Sequence, residues 1–228
     1  MAIGFLVDFF IRKLRVPEAL VDMSRDAFIS PADSQVTVYE IQQGLVIPVK
    51  GSYYTVSELL GGDPIWKKYD SGKCFVFRLA PHNYHRYCYC DEGKQGGVKT
   101  IKGKLHSVNP IAVHNNIKVY SQNFRQYTTL HTICFGDVIH MEIGAMLIGK
   151  IRNHRLSECD IRKGKEKGFF EYGGSTIILL VQDGYVEVDS DIITNSKKGL
   201  ETTVKYGERI GLRKTSQPNL TASVIDNN

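Results

Sequence analysis

The sequence is poor in the features that mark an unusual environment. Seven prolines in 228 residues are too few for a rigid proline-rich linker, and no repeat or low-complexity stretch breaks the chain. No run approaches the ~18 apolar residues that a membrane-crossing helix needs. The apolar start, Ala2 to Val7, breaks at Asp8 with no small-residue cleavage site after it, so a cleaved signal peptide is not expected. Charge of one sign is missing too. The 29 Lys and Arg stand against 24 Asp and Glu, a formal charge of +5, too weak to argue for nucleic acid although compatible with an anionic membrane surface. Five cysteines (Cys74, Cys88, Cys90, Cys134 and Cys159) form an odd, scattered set that reads as reduced cytosolic thiols rather than a disulfide framework.

What is present is an ordinary apolar share, 42% hydrophobic, in a chain long enough to bury a core as one domain. Helical signals are few. Phe5, Phe9, Phe10 and Leu14 would share one face of a helix over 5–14, and Thr55 to Leu60 reads as a short helix stopped by Gly61-Gly62. Strand signals dominate. Val36 to Tyr39 alternates, Cys74 to Leu79 looks half-buried, and Ile177 to Val181 looks buried on both faces. Turn residues separate them, at Gly51-Ser52, Asp70-Ser71-Gly72, Asp91-Glu92-Gly93, Gly96-Gly97, Gly136-Asp137 and Asp183-Gly184. The expected class is mainly β (α+β), a β-rich sandwich or barrel-like core with a few short helices. Residues 1–213 read as a single domain and 214–228 as a polar tail that frays.

Four stretches carry groups capable of chemistry. Ser30-Pro31-Ala32-Asp33-Ser34 enters a strand, where an Asp most often caps a turn by bonding its own backbone. Pro81-His82-Asn83-Tyr84-His85-Arg86-Tyr87-Cys88-Tyr89-Cys90 leaves a strand with two imidazoles, a guanidinium and two thiols. Such a set could relay protons, bind an anion or hold a metal. A Cys-x-Cys beside one His lacks the second paired arm of a zinc site, and in a strand Cys88 and Cys90 would share one face while Tyr87 and Tyr89 share the other. His106-Ser107-Val108-Asn109-Pro110 alone suggests no role. Gly173-Gly174-Ser175-Thr176 runs straight into the apolar strand. Gly-Gly before a hydroxyl is often only a tight turn, yet Gly174 offers an unhindered carbonyl and Ser175 an Oγ able to attack it.

Taken together and in order, these stretches resemble the phosphatidylserine decarboxylase family. The resemblance begins at Asp8-Phe9-Phe10-Ile11-Arg12-Lys13-Leu14 and passes through Pro31-Ala32-Asp33, Lys50-Gly51-Ser52-Tyr53-Tyr54, Tyr84-His85-Arg86 and His106-Ser107-Val108-Asn109-Pro110. It continues through Gly144-Ala145-Met146-Leu147-Ile148-Gly149 and Lys163-Gly164-Lys165-Glu166-Lys167-Gly168 to Gly173-Gly174-Ser175-Thr176, the form of the clostridial branch. The order and spacing hold to about Arg213.

The resemblance implies a proenzyme that cuts itself between Gly174 and Ser175, giving a large chain 1–174 and a small chain 175–228. Ser175 Oγ attacks the preceding carbonyl, an N-to-O shift gives an ester, β-elimination leaves dehydroalanine, and hydrolysis leaves a pyruvoyl group derived from Ser175. That prosthetic group then forms a Schiff base with the amine of phosphatidylserine and accepts the electrons released as CO2 departs, yielding phosphatidylethanolamine. By the same resemblance Asp33 orients a base for the cleavage and His85 serves the decarboxylation. Cys88 occupies the position of the family's relay histidine, Asn83 that of a common Asp, and Ser34 that of a usual Gly. The partners implied are phosphatidylserine in a membrane surface, the protein's own small chain and, as an open expectation, a second copy of the chain. The location implied is cytoplasmic and peripheral on the membrane. Family members usually carry an upstream membrane-seating segment, whereas this chain starts within the first matching block. Phe5, Phe9 and Phe10 would touch lipid or pack on the sheet. Because Cys88 departs from the pattern, two other readings stay open: a pyruvoyl enzyme acting on a soluble amino acid, and an uncleaved relative that binds lipid or a partner.

Overall fold

A computed structural model of the chain describes residues 12, 20–49, 52–104, 106, 118–144, 150–171 and 175–214. The helix expected over 5–14 and the Gly51 turn lie outside these residues, as does Gly174. The strands in chain order are β1 (Ala27–Ile29), β2 (Ser34–Glu40), β3 (Leu45–Val49), β4 (Ser52–Thr55), β5 (Lys73–Leu79), β6 (Arg86–Cys88), β7 (Gly93–Gln95), β8 (Lys99–Ile101) and β9 (Arg125–Thr132). They continue with β10 (Asp137–Ile143), β11 (Ile151–Asn153), β12 (Cys159–Ile161), β13 (Glu166–Phe170), β14 (Ser175–Val181), β15 (Val186–Val188), β16 (Thr202–Val204) and β17 (Arg209–Arg213). The helices are short: α1 (Val56–Leu59), α2 (Val119–Gln122), α3 (Ser190–Lys197) and a 3-10 turn at Pro64–Tyr69.

A nine-stranded antiparallel sheet organises the molecule, in the order β12-β7-β9-β10-β14-β5-β2-β16 with β8 also on β9. Strand β14 lies at its centre because all seven of its residues are buried. Ile177, Leu179 and Val181 join the core on one face, and Ile178 and Leu180 the core on the other. The first face is covered by two three-stranded sheets, β1-β17-β15 and β11-β13-β6, and by Ile192 of α3, and the second by the β3-β4 hairpin, α1, α2 and the 3-10 turn. The result is layered sheets, with no closed barrel among the described residues.

The helix expected at Thr55 forms as α1. Thr55 Oγ1 accepts from Glu58 N and Glu58 Oε2 from Thr55 N, each at 3.0 Å, a reciprocal cap that closes the first turn. Strand β5 departs from its half-buried reading. Phe75, Phe77 and Leu79 enter one core, Cys74 and Val76 the other, because both faces of the central sheet are covered. The turn at Gly136 between β9 and β10 has φ +66, and a Cβ there would press into the Tyr185 ring at 2.7 Å, so glycine is required for this reversal.

Candidate active site

Strand register gathers the predicted residues. Ser175, the first residue of β14, pairs with Leu79 at the end of β5. On the other side of β5, Gln35 pairs with Arg78, so one step along the same register brings Ser34 level with Leu79. Ser34, Leu79 and Ser175 therefore form a row across three adjacent strands about 4.8 Å apart, with Asp33 just beyond the row. Both serines are fully buried.

His85 comes to the same end of the sheet by two connections. The segment 80–84 leaves from Leu79, the partner of Ser175, and the His85 carbonyl accepts from Phe170 N at 3.0 Å, five residues before Ser175. The turn between is held locally. Asn83 Oδ1 accepts from Ala80 N at 2.7 Å, so the amide at this position shapes the backbone. His85 is wholly buried with Nδ1 3.0 Å from the Asn83 carbonyl. A carbonyl can only accept, so Nδ1 carries the hydrogen and the lone pair of the neutral ring sits on Nε2.

Asp33 does not behave as a local turn former. Its Oδ1 accepts from the backbone N of Tyr206 at 2.8 Å, 173 residues away, and Oδ2 lies 3.8 Å from Lys205 Nζ. The Tyr206 ring meets Tyr84 edge to face at 6.0 Å, and its hydroxyl donates to the Gly164 carbonyl at 2.9 Å. Asp33 is thus connected through Tyr206 to the segment that carries His85. Tyr206 had no signal in the sequence, since a backbone N–H is the group that it supplies.

Cys88 is packed against the same cluster. Its N donates to the Pro31 carbonyl at 2.9 Å, and its Sγ lies 3.8 Å from the Ser30 carbonyl. Burial pushes the thiol up to about 12, against the smaller opposite pull of the neighbouring Tyr206 hydroxyl. At neutral pH it is a protonated S–H facing a carbonyl, with no lone pair offered as a base. The pairing expected of these residues holds: Cys90 lies near Cys88, and Tyr87 and Tyr89 both lie near Glu142. All four are nevertheless buried in one core, although β6 itself ends at Cys88.

Arg86 is fixed from three sides. Its Nη1 contacts Glu166 Oε1 at 2.7 Å, its guanidinium lies 4.8 Å from the centre of the Phe169 ring, and Nε donates to the Arg12 carbonyl at 3.1 Å. His106 N donates to Asn123 Oδ1 at 2.8 Å and its carbonyl accepts from Asn123 Nδ2 at 2.7 Å, a structural pairing.

Buried serines in a row, an aspartate beside them and an imidazole on the segment leaving the same sheet end are residue types from which an activated hydroxyl can be built. The comparisons with known proteins name the chemistry. The family profile described as phosphatidylserine decarboxylase matches residues 6–212. The chain belongs to the phosphatidylserine decarboxylase family. Among its relatives, phosphatidylserine decarboxylase proenzyme 2 of Clostridium acetobutylicum is 46% identical over 204 residues, which is 90% of this chain and 69% of that protein. The phosphatidylserine decarboxylase proenzymes of Clostridium botulinum and Clostridium tetani are each 40% identical, over 91% and 90% of this chain and 70% and 69% of their own lengths.

Proposed function

We propose that the protein is a self-maturing, pyruvoyl-dependent decarboxylase that converts phosphatidylserine to phosphatidylethanolamine and CO2. The observation that carries this reading is the placement of Ser175, level with Ser34 across β5 and joined to His85 through Leu79 and Phe170, in a chain that matches the family over nearly its whole length.

The residues present fit a pyruvoyl group. Ser175 is buried at the entrance of β14, and His85 is buried on the segment that leaves from the partner residue Leu79, so a carbonyl formed at Ser175 would be shielded from water. The group supplies an electron sink for the loss of CO2. This chain's own residues hold and move protons. His85, tied through Nδ1, presents Nε2 as the atom that takes a proton from Ser175 Oγ during maturation and delivers one during turnover. Asp33 holds the turn carrying Tyr206 against the Tyr84-His85 segment. Cys88 stays protonated and takes no proton, so His85 carries both duties that the family divides between two histidines, and maturation is correspondingly slow.

The substrate is reached at a membrane surface by a cytoplasmic protein. No helix among the described residues is long and apolar enough to cross a bilayer. Release of CO2 from phosphatidylserine vesicles, compared with free serine at the same amine concentration, tests the substrate. Activity confined to vesicles is expected, and turnover of free serine alone would overturn the lipid reading.

A further inference from the structure

Between the central sheet and the sheet β11-β13-β6 lies a buried polar network that the chemistry above does not use. At its edge Asn153 Nδ2 also donates to Gln126 Oε1 at 3.1 Å, and His140 Nε2 lies 3.5 Å from Glu142 Oε1. Lys167 and Glu142 are both fully buried, and Lys167 Nζ contacts Glu142 Oε1 at 2.5 Å and Asn153 Oδ1 at 2.7 Å. Asn153 Nδ2 donates back to Glu142 Oε2 at 3.3 Å, and Tyr87 Oη donates to Asn153 Oδ1 at 3.3 Å. Four strands meet here: Tyr87 from β6, Glu142 from β10, Asn153 from β11 and Lys167 from β13.

Lys167 reaches this place through a break in the ladder. Glu166 pairs with Cys88 and Gly168 with Tyr87, so Lys167 is the extra residue of a bulge, which re-aims a side chain. The bulge depends on glycine, since a Cβ on Gly168 would collide with the Arg152 carbonyl and lie 2.7 Å from Tyr87 Oη. The two ends of the ion pair sit on the two halves of the site. Strand β13 anchors the His85 carbonyl through Phe170 N, and Glu142 pairs across β10-β14 with Ile177, two residues after Ser175.

We propose that the buried Lys167–Glu142 pair, with Asn153, is a positioning device that sets the layer carrying His85 over the strand carrying Ser175. A buried ion pair is a poor source of stability, because an apolar pair of similar volume is often as stable or more so. What it supplies is a fixed separation, since charge-assisted bonds have a narrow range of length and direction. The pair acts through His85 and touches neither reacting atom. The inference rests on the self-cleavage reading, so its test has one readout that does not depend on cleavage.

The test compares the full-length parent with the double variant Glu142→Leu/Lys167→Met. Thermal unfolding, amide hydrogen exchange at Phe170 and the self-cleavage rate on denaturing gels are followed together. The double variant is expected to melt no lower than the parent, to exchange the Phe170 amide at least tenfold faster, and to cleave at least tenfold more slowly. In the mature enzyme kcat falls while KM stays, as for an interaction made only in the transition state. Unchanged exchange, or faster exchange with unchanged cleavage, overturns the proposal. An uncut parent whose variant still exchanges faster at Phe170 refutes the self-cleavage reading and leaves the positioning intact. If the double variant does not fold, Glu142→Gln, which keeps an oxygen for Lys167, is measured by the same exchange and cleavage criteria, with a lower melting temperature expected because Lys167 keeps a buried uncompensated charge.

Discussion

The two faces of the central sheet are built from the same strands and serve different ends. Toward the hairpin and short helices, β5, β10 and β14 present Cys74, Val76, Ile139, Met141, Ile143, Ile178 and Leu180. The main charged intruder there is Arg125, which donates to the carbonyls of Leu59, Glu58, Ser121 and Asn123. Burial lowers its guanidinium to about 10, and the four bonds tie α1 to α2. Toward the small sheets, the alternate residues of those strands include Ser175, His140 and Glu142, set among Phe75, Phe77, Ile177 and Leu179. One face is a core that accepts any good packing. The other spends part of its apolar area on groups whose value lies in where they are held.

That contrast can be broken at His85. His85→Ala is expected to lower both self-cleavage and vesicle decarboxylation by about 10²–10⁴-fold, the usual worth of a positioned acid–base, as timed gels and CO2 release would show. A loss confined to decarboxylation would return the cleavage step to another base.

Stability separates the faces next. Lys167→Met leaves Glu142 buried without its cation and should cost about 3–5 kcal/mol, while Ile178→Ala should cost about 2–5 kcal/mol through lost contacts and a cavity. Urea unfolding measures both losses, and only the first is rescued by a second substitution. Adding Glu142→Leu restores the first variant, because it removes the orphaned charge.

Acid sharpens the comparison further. His140 is fully buried, and desolvation, with Lys167 nearby, holds its pKa well below 6.5. The unfolded chain takes up that proton near ~6.5 and the folded one does not. Stability is therefore complete above this value and declines as pH falls below it, by at most about 1.4 kcal/mol per pH unit. His140→Gln should flatten the slope between pH 7 and 5, and an unchanged slope would assign the acid loss to carboxylates.

The smallest effect is expected at Cys88. With its thiol raised to about 12 by burial against ~8.5 in an unfolded chain, the folded state holds the proton. Stability is complete below ~8.5 and declines as pH rises toward 12. Cys88→Ala should flatten that alkaline decline and leave the cleavage rate at pH 7 unchanged. A slower cleavage rate would show that the thiol takes part.

Much of the scaffold was legible where a local pattern has a local cause. The five apolar residues Ile177 to Val181 could only be a doubly covered strand, and Thr55 with Glu58 three residues on is a cap written in sequence. The turns at Gly136 and Gly184 follow from a residue that tolerates positive φ, whereas Ser71 takes φ +63 without that tolerance. The half-buried expectation for β5 fails because both faces of the central sheet are covered, while Lys73 and Arg78 carry their charges out of the core to meet Glu40 and Glu201. The site was legible only as an ordered set of motifs. The contact that holds Asp33 comes from a backbone N–H 173 residues away. The Lys167–Glu142 pair depends on a bulge, which no periodicity reveals.

Electrospray mass of the purified, unmodified chain after prolonged incubation tests the central claim most directly. Two chains are expected, the smaller spanning 175–228 and starting with a ketone that a hydrazine reagent captures. A single species at the full 25.7 kDa, with no reagent taken up, would contradict it.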